Sequence, residues 1–347
     1  MSEKSSASQP IFDWRLAVSA DVVEAVEKFA ANMKIDSPEE LSKWLMDPHG
    51  GQQHHAVRAC VAYLKMMYET FVVVSEMFDL WSPPEQERAK HRLRFTDPED
   101  MLCMAYHLYL LNSYGVSGCV LECGSGAGFS ACCLSHVCGR LGRRFVIADS
   151  FEGLPDVSAN ETFFRKGDYA FRKDILVQHL KWVGVPAAVE RYVEGWFADS
   201  FVNWSQEIAL LWLDVDLYNS ASDALGHLFS HVNRKGAIFC HEYTDFYGQS
   251  LMDKENSVPT AVAESFRKSG DVFTTSTVRK YFGVFGWTSS VQMQSFRLIN
   301  AMVPYLQGMD ARSRAEQELR NCRTVRAAFF LKNALSSLRC KRQRPRQ

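Results

Sequence analysis

Apolar residues recur along the chain in two patterns, and the change from one pattern to the other divides the sequence. Over residues 22–31 and 56–80 they are spaced three and four positions apart, as on one face of an α-helix. Ser37 followed by Pro38 is typical of the start of another helix, and a further helix is predicted over residues 96–114. We therefore expect the N-terminal part of the chain to be helical.

Beyond residue 118, short apolar runs alternate with helical segments. Five runs have the length and composition of buried strands: residues 119–123, 144–149, 189–193, 208–213 and 237–240. Helices are predicted at residues 129–141, 222–232 and 260–269. Strands that alternate with helices predict an α/β fold with a mainly parallel sheet buried on both faces. Two last runs, 272–276 and 281–285, lie too close together for a crossover helix and predict an antiparallel hairpin at the sheet edge.

A glycine-rich turn joins the first predicted strand to a helix. Residues 121–128 read LECGSGAG, and the glycines allow a tight turn and a close approach of the backbone to a ligand. The spacing G-x-G-x-G differs from the dinucleotide fingerprint G-x-G-x-x-G, and the turn alone is compatible with NAD, FAD or S-adenosylmethionine (AdoMet). Asp149 ends the next strand, where an acid binds ribose hydroxyls, and Glu122 precedes the first glycine, where it can meet a cationic ligand. Together these two acids favour AdoMet over NAD.

A second group of polar residues follows the fourth and fifth predicted strands. Asp214 ends the fourth strand, and His241 and Glu242 end the fifth. Because ligands of open α/β sheets bind at the carboxyl ends of the strands, we expect these side chains to converge beside the glycine turn. Two carboxylates and an imidazole can hold a divalent cation, and Asp214 or His241 could take the proton of a substrate hydroxyl. The alternative for His241 is packing or hydrogen bonding at the strand end.

Composition and charge limit the class of protein. The 347 residues are 47% hydrophobic and 23% charged, which is typical of a globular chain, and no apolar run is long enough for a membrane span. The polar first ten residues do not resemble a secretory signal, and the ten cysteines contain no C-x-x-C pair, so we expect buried, reduced thiols in a cytoplasmic protein. The net charge of −1 hides an asymmetry, because residues 312–347 hold 11 basic and 2 acidic side chains and the preceding residues sum to −10.

Five segments resemble the macrocin-type O-methyltransferases, the TylF/MycF-like enzymes that methylate sugar hydroxyls of macrolide antibiotics. They are LECGSGAG at residues 121–128, DSFEGLP at 149–155, GWFADS at 195–200, LDVDLY at 213–218 and the pair His241-Glu242. DSFEGLP followed by LDVDLY is the most specific part, and the resemblance spans roughly residues 95–287. It implies the Rossmann-like, seven-stranded, mainly parallel sheet of class I methyltransferases. It also implies an AdoMet-dependent and Mg²⁺-dependent transfer of a methyl group to a hydroxyl.

The resemblance further implies a role for each matching residue. The implied AdoMet-binding residues are Glu122, Gly124, Ser125 and Gly126 around the methionine, Asp149 at the ribose, and Ser150, Trp196 and Phe197 near the adenine. Asp214 matches the first metal ligand and base, and His241 and Glu242 fall on the acidic pair that completes the metal site. His241 departs from the family pattern, since an imidazole replaces an anionic oxygen ligand and weakens Mg²⁺ binding. A second arrangement keeps the metal on Asp214 and Glu242 and uses His241 as the base.

The predicted organisation has three parts: an N-terminal helical cap over residues 1–95, a methyltransferase domain over 96–290, and a C-terminal helical extension with a basic tail over 291–347. The aromatic loop 156–172 either covers an apolar substrate or packs on the N-terminal helices. The C-terminal helix, residues 312–338, is expected to dock on the acidic body and to leave the basic tail, residues 340–347, in solvent. A membrane-surface or partner-binding helix and nucleic-acid binding are the weaker alternatives. The expected partner is a small-molecule hydroxyl substrate, without nucleic acid or a transmembrane segment, and self-association into a homo-oligomer is left open.

Two other functions are compatible with the same fold. One is a relative of the cephalosporin-hydroxylase-like proteins, which share the acidic metal arrangement. The other is a catalytically silent AdoMet-fold protein that serves as a binding subunit. The acids at Glu122, Asp149 and Asp214 argue against the silent protein, so the O-methyltransferase is the leading expectation.

Overall fold

A seven-stranded sheet forms the centre of the molecule. The computed structural model describes residues 55–80, 96–113, 115–157, 163–184, 189–244, 249–252, 254–279 and 281–287. The strands are β1 Cys119–Cys123, β2 Phe145–Asp149, β3 Val189–Glu194, β4 Ile208–Leu213, β5 Val232–Cys240, β6 Phe273–Arg279 and β7 Phe282–Trp287. They lie in the order β3-β2-β1-β4-β5-β7-β6. Strand β7 is antiparallel to both neighbours and the other pairs are parallel, which confirms the predicted α/β class and edge hairpin.

The direction of the strand order reverses between β1 and β4. Leu121 of β1 pairs with Val146 of β2 on one side and with Leu211 of β4 on the other. The crossover connections on the two sides of β1 therefore lead to opposite faces of the sheet, and a crevice opens at the carboxyl ends of these strands. This is the position at which open α/β sheets bind their ligands.

Helices cover both faces of the sheet. They are α1 His55–Leu80, α2 Pro98–Ser113, α3 Phe129–Leu141, α4 Lys173–Trp182, α5 Phe197–Ser200, α6 Tyr218–Leu228 and α7 Val258–Ser269, with a 3₁₀ turn at Phe229–His231. Val120 and Leu210 face the core built with α1 to α4, whereas Leu121 and Leu211 face the core built with α6 and α7. Burial of both faces explains why the central strands are continuously apolar instead of alternating.

Most predicted elements are confirmed, some with shifted ends. Strands β1 and β4 and helix α3 have the predicted bounds. Strand β5 begins at Val232, earlier than predicted. The prediction missed its first half because that half is largely polar and partly exposed and lacks the apolar signature of a buried strand. Helix α6 spans Tyr218–Leu228 instead of residues 222–232; its start was missed because its first residues, YNS, lack the aliphatic side chains that mark the rest of the helix. Helix α4 is absent from the sequence prediction, although one side of it is buried through Ile175, Leu176, His179 and Leu180.

Several predictions concern residues outside the described part of the chain. They include the helices at residues 22–31 and near Ser37, and the basic C-terminal extension. The division into three parts stays a prediction, and α1, from the proposed cap, packs in the same core as α2, α3 and one sheet face. The described cysteines are buried free thiols: Cys103, Cys119, Cys123, Cys132, Cys133, Cys138 and Cys240. Among the helices that the structure describes, none has the length and apolar character needed to cross a membrane.

Candidate functional site

A cleft of about 1430 Å³ opens at the carboxyl ends of β1, β2, β4 and β5. Every residue of the predicted site except Glu122 lines it: Gly124, Ser125, Gly126, Asp149, Ser150, Trp196, Phe197, Asp214, His241 and Glu242. The glycine turn and the polar strand ends therefore share one cavity at the reversal of the strand order. Their individual roles stay predictions.

The glycine turn after β1 is shaped by close contacts on both sides. Gly124 has φ +82° and Gly128 has φ +96°, a backbone region that favours glycine. A Cβ atom on Gly124 would collide with the carbonyl oxygen of Asp214, and one on Gly128 would collide with the Leu176 side chain of α4. The turn thus packs directly on the end of β4 and on helix α4, and a larger residue at either glycine would move it.

Asp149, at the end of β2, anchors the first half of this turn. Its Oδ2 accepts hydrogen bonds from the backbone N–H of Ser125 at 2.7 Å and from the Ser125 hydroxyl at 3.0 Å. Its Oδ1 accepts one from the N–H of Phe151 at 2.8 Å. Because a carboxylate oxygen has two lone pairs, Oδ1 keeps one acceptor position for a ligand hydroxyl. Asp149 can therefore position the turn and bind a ribose hydroxyl at the same time.

Glu122 does not reach the cleft, in contrast to its implied place around the cofactor methionine. Its side chain is fully buried and points, like that of Val120, toward the face covered by α3. There it accepts a hydrogen bond from the hydroxyl of Ser130, in the first turn of α3. Burial raises the pKa of Glu122 well above its usual range. Glu122 therefore supports the start of α3 through Ser130. Its buried side chain does not line the cleft in which a cofactor would bind.

The side of the cleft near β2 and β3 is partly aromatic. Trp196 precedes helix α5, and the ring of Phe197 is stacked on that of Phe201 with 5.5 Å between centroids. Ser150 braces the turn after β2, because its hydroxyl donates to the carbonyl of Gly153 at 3.0 Å. A flat apolar wall beside an acid that can bind a ribose suits a nucleoside.

Asp214, His241 and Glu242 form the polar cluster on the opposite side. One potential ligand atom from each residue lies within 4.8 Å of the others. The Nδ1 atom of His241 lies 2.6 Å from Oε1 of Glu242 and 3.5 Å from Oδ1 of Asp214. The backbone N–H of Asp214 donates to Cys123 and that of His241 donates to Leu213, each at 3.0 Å, so the ladder between strands fixes the spacing.

The electrostatics of this cluster follow from burial and from the closeness of like charges. Burial raises the pKa of Asp214 to about 7, with Glu242 and Asp149 adding to the rise and His241 opposing it. Burial alone would lower the pKa of His241, but the carboxylates of Asp214 and Glu242 outweigh it and raise that pKa to about 10. Without a bound cation, the two neighbouring carboxyl groups therefore favour the protonated form of His241.

The donor set of the cluster fits a divalent cation. Two carboxylates are hard oxygen ligands, and imidazole is accepted by Mn, Fe and Zn more readily than by Mg. The Oε2 atom of Glu242 is buried and has no hydrogen-bond partner among the described residues, so it is an oxygen that a cation could satisfy. Cation binding at His241 would require loss of its proton.

Two polar residues of the cleft have no role in the sequence prediction. Asp216 and Tyr169 both line the cleft, and both adopt left-handed backbone conformations, with φ of +58° and +61°. Such conformations are uncommon outside glycine and concentrate at functional sites. Burial raises the pKa of Tyr169, and the carboxylate of Asp216 contributes to the rise. Asp216 belongs to the quoted motif LDVDLY and Tyr169 to the aromatic loop at residues 156–172, so both segments were singled out although neither residue was given a role of its own.

The aromatic loop at residues 156–172 contributes to both the cleft and the core, and its role in covering a substrate stays a prediction. Phe163 and Phe164 line the cleft with their rings 5.1 Å apart, and 77% of the Phe163 surface is exposed. Phe171, at the other end, is buried in the core shared with α1 to α4. The described part of the loop therefore anchors on the helical layer and presents apolar rings to the cleft.

Comparison with known proteins places the same segment in a methyltransferase context. The protein 8-demethyl-8-(2,3-dimethoxy-alpha-L-rhamnosyl)-tetracenomycin-C 4'-O-methyltransferase of Streptomyces olivaceus is 31% identical over an alignment of 148 residues. The match covers 37% of this chain and 54% of the relative. The chain thus spans about half the length of this curated relative. The solved structure of the O-methyltransferase NovP matches with a TM-score of 0.51 at 19% identity, over 66% of this chain and 98% of that one.

The structural match establishes the fold, which is the Rossmann-like sheet of class I O-methyltransferases. The family model described as Macrocin-O-methyltransferase (TylF) matches residues 107–253, from helix α2 to beyond the His241-Glu242 pair. That segment includes the glycine turn, Asp149 and the polar cluster. The resemblance of this chain to the macrocin-type O-methyltransferases is therefore confirmed over residues 107–253.

Proposed function

We propose that the chain is an AdoMet-dependent O-methyltransferase that methylates a hydroxyl of a sugar or another secondary metabolite. The observation that carries the proposal is the presence, in one cleft, of a glycine turn anchored by Asp149 and the cluster Asp214, His241 and Glu242. The match to the TylF family over this segment supports the reaction type. The name of the Streptomyces olivaceus relative, a rhamnosyl 4'-O-methyltransferase, supports a sugar hydroxyl as the acceptor.

The cofactor half of the cleft has the groups that AdoMet requires. The N–H groups at the start of α3 can bind the carboxylate of its methionine, since helix N-termini attract anions. Oδ1 of Asp149 can accept a ribose hydroxyl, and Trp196 and Phe197 can flank the adenine. When bound, AdoMet supplies the methyl group that is transferred from its sulfonium to the acceptor oxygen.

Asp214 is the base in this proposal. The acceptor hydroxyl loses its proton to a carboxylate oxygen of Asp214 as its oxygen forms the bond to the methyl carbon. Burial keeps the pKa of Asp214 near neutrality, which suits a general base, whereas His241 already holds a proton between its two carboxylate neighbours. His241 then has an electrostatic role, and the protein contributes chiefly by placing the acceptor in line with the methyl group.

A divalent cation is the second part of the proposal. Asp214 and Glu242 would hold it, joined by His241 once its imidazolium has lost a proton, and the cation would lower the pKa of the acceptor hydroxyl and orient it. The buried Oε2 of Glu242 supports this proposal, because it lacks a partner among the described residues. Magnesium is the proposed ion, and manganese would suit the site about as well because it accepts the imidazole of His241 as a ligand.

The experiment is a transfer assay with the full chain, methyl-labelled AdoMet and a panel of rhamnosides and other glycosides. We expect the label in a methyl ether on a sugar hydroxyl, located by mass spectrometry and NMR. The matched control is Asp214→Asn, which should bind AdoMet but form little product. Label on a nitrogen or carbon of the acceptor, or wild-type turnover by Asp214→Asn, would contradict the proposal.

A further inference from the structure

Helix α4, Lys173–Trp182, packs against the second half of the glycine turn. Leu176 is fully buried and occupies the space that a side chain on Gly128 would need. His179, one turn later, is 2% exposed, and its Nδ1 atom lies 2.6 Å from the carbonyl oxygen of Ala127. The helix therefore touches the turn at two successive residues, Ala127 and Gly128, of which Ala127 lines the cleft.

The hydrogen bond to Ala127 satisfies a carbonyl that the fold leaves without a helical partner. Helix α3 begins at Phe129, and the bond from the N–H of Cys132 to the carbonyl of Gly128 starts its hydrogen-bond ladder, so the carbonyl of Ala127 lies just before that ladder. Ala127 is buried, and a buried carbonyl needs a donor. Burial lowers the pKa of His179, so its ring is neutral, and the Nδ1–H tautomer supplies that donor.

The ring of His179 is held firmly in place. It packs against Phe78 of α1 with 4.7 Å between centroids, and Phe78 in turn meets the edge of Phe129 at 5.6 Å. At the other end of the turn, Asp149 binds the N–H and the hydroxyl of Ser125. The turn is thus fixed at both ends, and Gly126 and Ala127 between them line the cleft.

We infer that His179 is a positioning residue for AdoMet, which acts through the Ala127 carbonyl to hold the glycine turn in its binding conformation. The inference rests on the proposed function, because AdoMet is the ligand of that turn. If the donor is removed, the peptide between Ala127 and Gly128 is free to rotate toward another partner. The N–H groups that face the cofactor then lose their alignment.

Two substitutions separate the hydrogen bond from the packing of the ring. His179→Leu removes the donor, whereas His179→Asn keeps an N–H on the atom attached to Cγ, where Nδ1 lies in histidine. Both substitutions remove the ring contact with Phe78, so both should lower stability to a similar degree. We expect His179→Leu to weaken AdoMet binding about tenfold, which equals about 1.4 kcal/mol. His179→Asn should stay within about threefold of wild type, a difference of less than 1 kcal/mol.

The measurement is isothermal titration of the full-length variants with AdoMet, together with urea unfolding of each. Gln178→Ala, at an exposed position of the same helix, is the matched control and should bind like wild type. A second donor-free variant with a more adaptable side chain, His179→Met, replaces the leucine variant if that one does not fold. Equal AdoMet affinity of the donor-free and asparagine variants would overturn the inference. Failure of the wild-type chain to bind AdoMet would instead refute the proposed function, so the two failures are distinguishable.

Discussion

The substitution Asp149→Asn replaces one atom of the side chain that anchors the glycine turn and keeps the shape of that side chain. The carboxylate accepts three hydrogen bonds, two at Oδ2 from Ser125 and one at Oδ1 from Phe151. An amide has a single acceptor oxygen, and its NH₂ group must then face a backbone N–H. The best arrangement keeps the oxygen toward Ser125 and sets the NH₂ against the N–H of Phe151. At least one hydrogen bond to a charged group is lost, together with the acceptor for a ribose hydroxyl.

The size of the effect follows from this count. A hydrogen bond to a charged group contributes about 1.5–3 kcal/mol. If the loss falls on the AdoMet complex, the dissociation constant rises roughly 10- to 150-fold, since about 1.4 kcal/mol corresponds to a factor of ten. Isothermal titration with AdoMet measures the change in the dissociation constant directly. Thermal unfolding of the free protein shows how much of the lost free energy destabilises the fold instead.

The matched control for this prediction is Asp174→Asn. Asp174 lies in the first turn of α4, pairs with Arg172 at the surface and does not line the cleft. Its loss should change AdoMet affinity by less than about twofold, because an exposed ion pair contributes little. If Asp149→Asn binds AdoMet as tightly as this control does, Asp149 neither positions the turn nor binds the ribose, and the reasoning is refuted.

Three further predictions address the polar cluster and the core. Asp214→Asn should lower turnover roughly 10²- to 10⁴-fold, the usual contribution of a general base, with AdoMet binding retained by titration; loss of binding alone would contradict the assigned role. Removal of divalent ions with EDTA should slow turnover and Mg²⁺ or Mn²⁺ should restore it, whereas a rate indifferent to EDTA would leave Asp214 acting without a metal. His107 is buried against Phe239, and no described residue bonds to its ring nitrogens; burial lowers its pKa to about 3, with the Arg143 charge contributing. The unfolded chain therefore takes up a proton below about pH 6.5 that the folded chain does not, and the free energy of unfolding should fall by about 1.4 kcal/mol per pH unit on acidification. His107→Leu should raise the free energy of unfolding at pH 7 by about 1 kcal/mol and remove this pH dependence, measured by urea unfolding at pH 7 and 5; an unchanged slope would show that His107 is not its source.

The sequence predicts those elements whose burial produces a clear pattern of apolar residues. Strands β1 and β4 are continuous apolar runs because helices cover both faces of the sheet, and Gly128 and Gly142 mark the ends of α3. The signal weakens where an element is partly exposed. In strand β5, Val232 is followed by three polar residues, so its first half has no apolar run. Helix α4 combines a narrow apolar side with charged neighbours, and this helix, which contacts the glycine turn, is therefore missing from the prediction.

The candidate site was predictable to the extent that strand ends converge by topology. Asp214 directly follows β4, and His241 and Glu242 directly follow β5, so the pairing of these two parallel strands brings the three residues together. The face of the sheet on which the Glu122 side chain lies was not predictable in the same way. In a strand buried on both faces the apolar pattern does not show which face a residue occupies, and Glu122 lies on the face of α3. The left-handed conformations of Asp216 and Tyr169 likewise depend on tertiary contacts and leave no local pattern.

The most direct measurement of the central claim is the thermal unfolding of the full chain with AdoMet, S-adenosylhomocysteine and NAD in parallel. A ligand at 100 times its dissociation constant stabilises the folded state by about 2.7 kcal/mol, which a shift of several degrees would report. We predict stabilisation by AdoMet and by S-adenosylhomocysteine, none by NAD, and a smaller shift with AdoMet in Asp149→Asn. Stabilisation by NAD without any by AdoMet or S-adenosylhomocysteine would contradict the assignment of the glycine turn and, with it, the proposed methyl transfer.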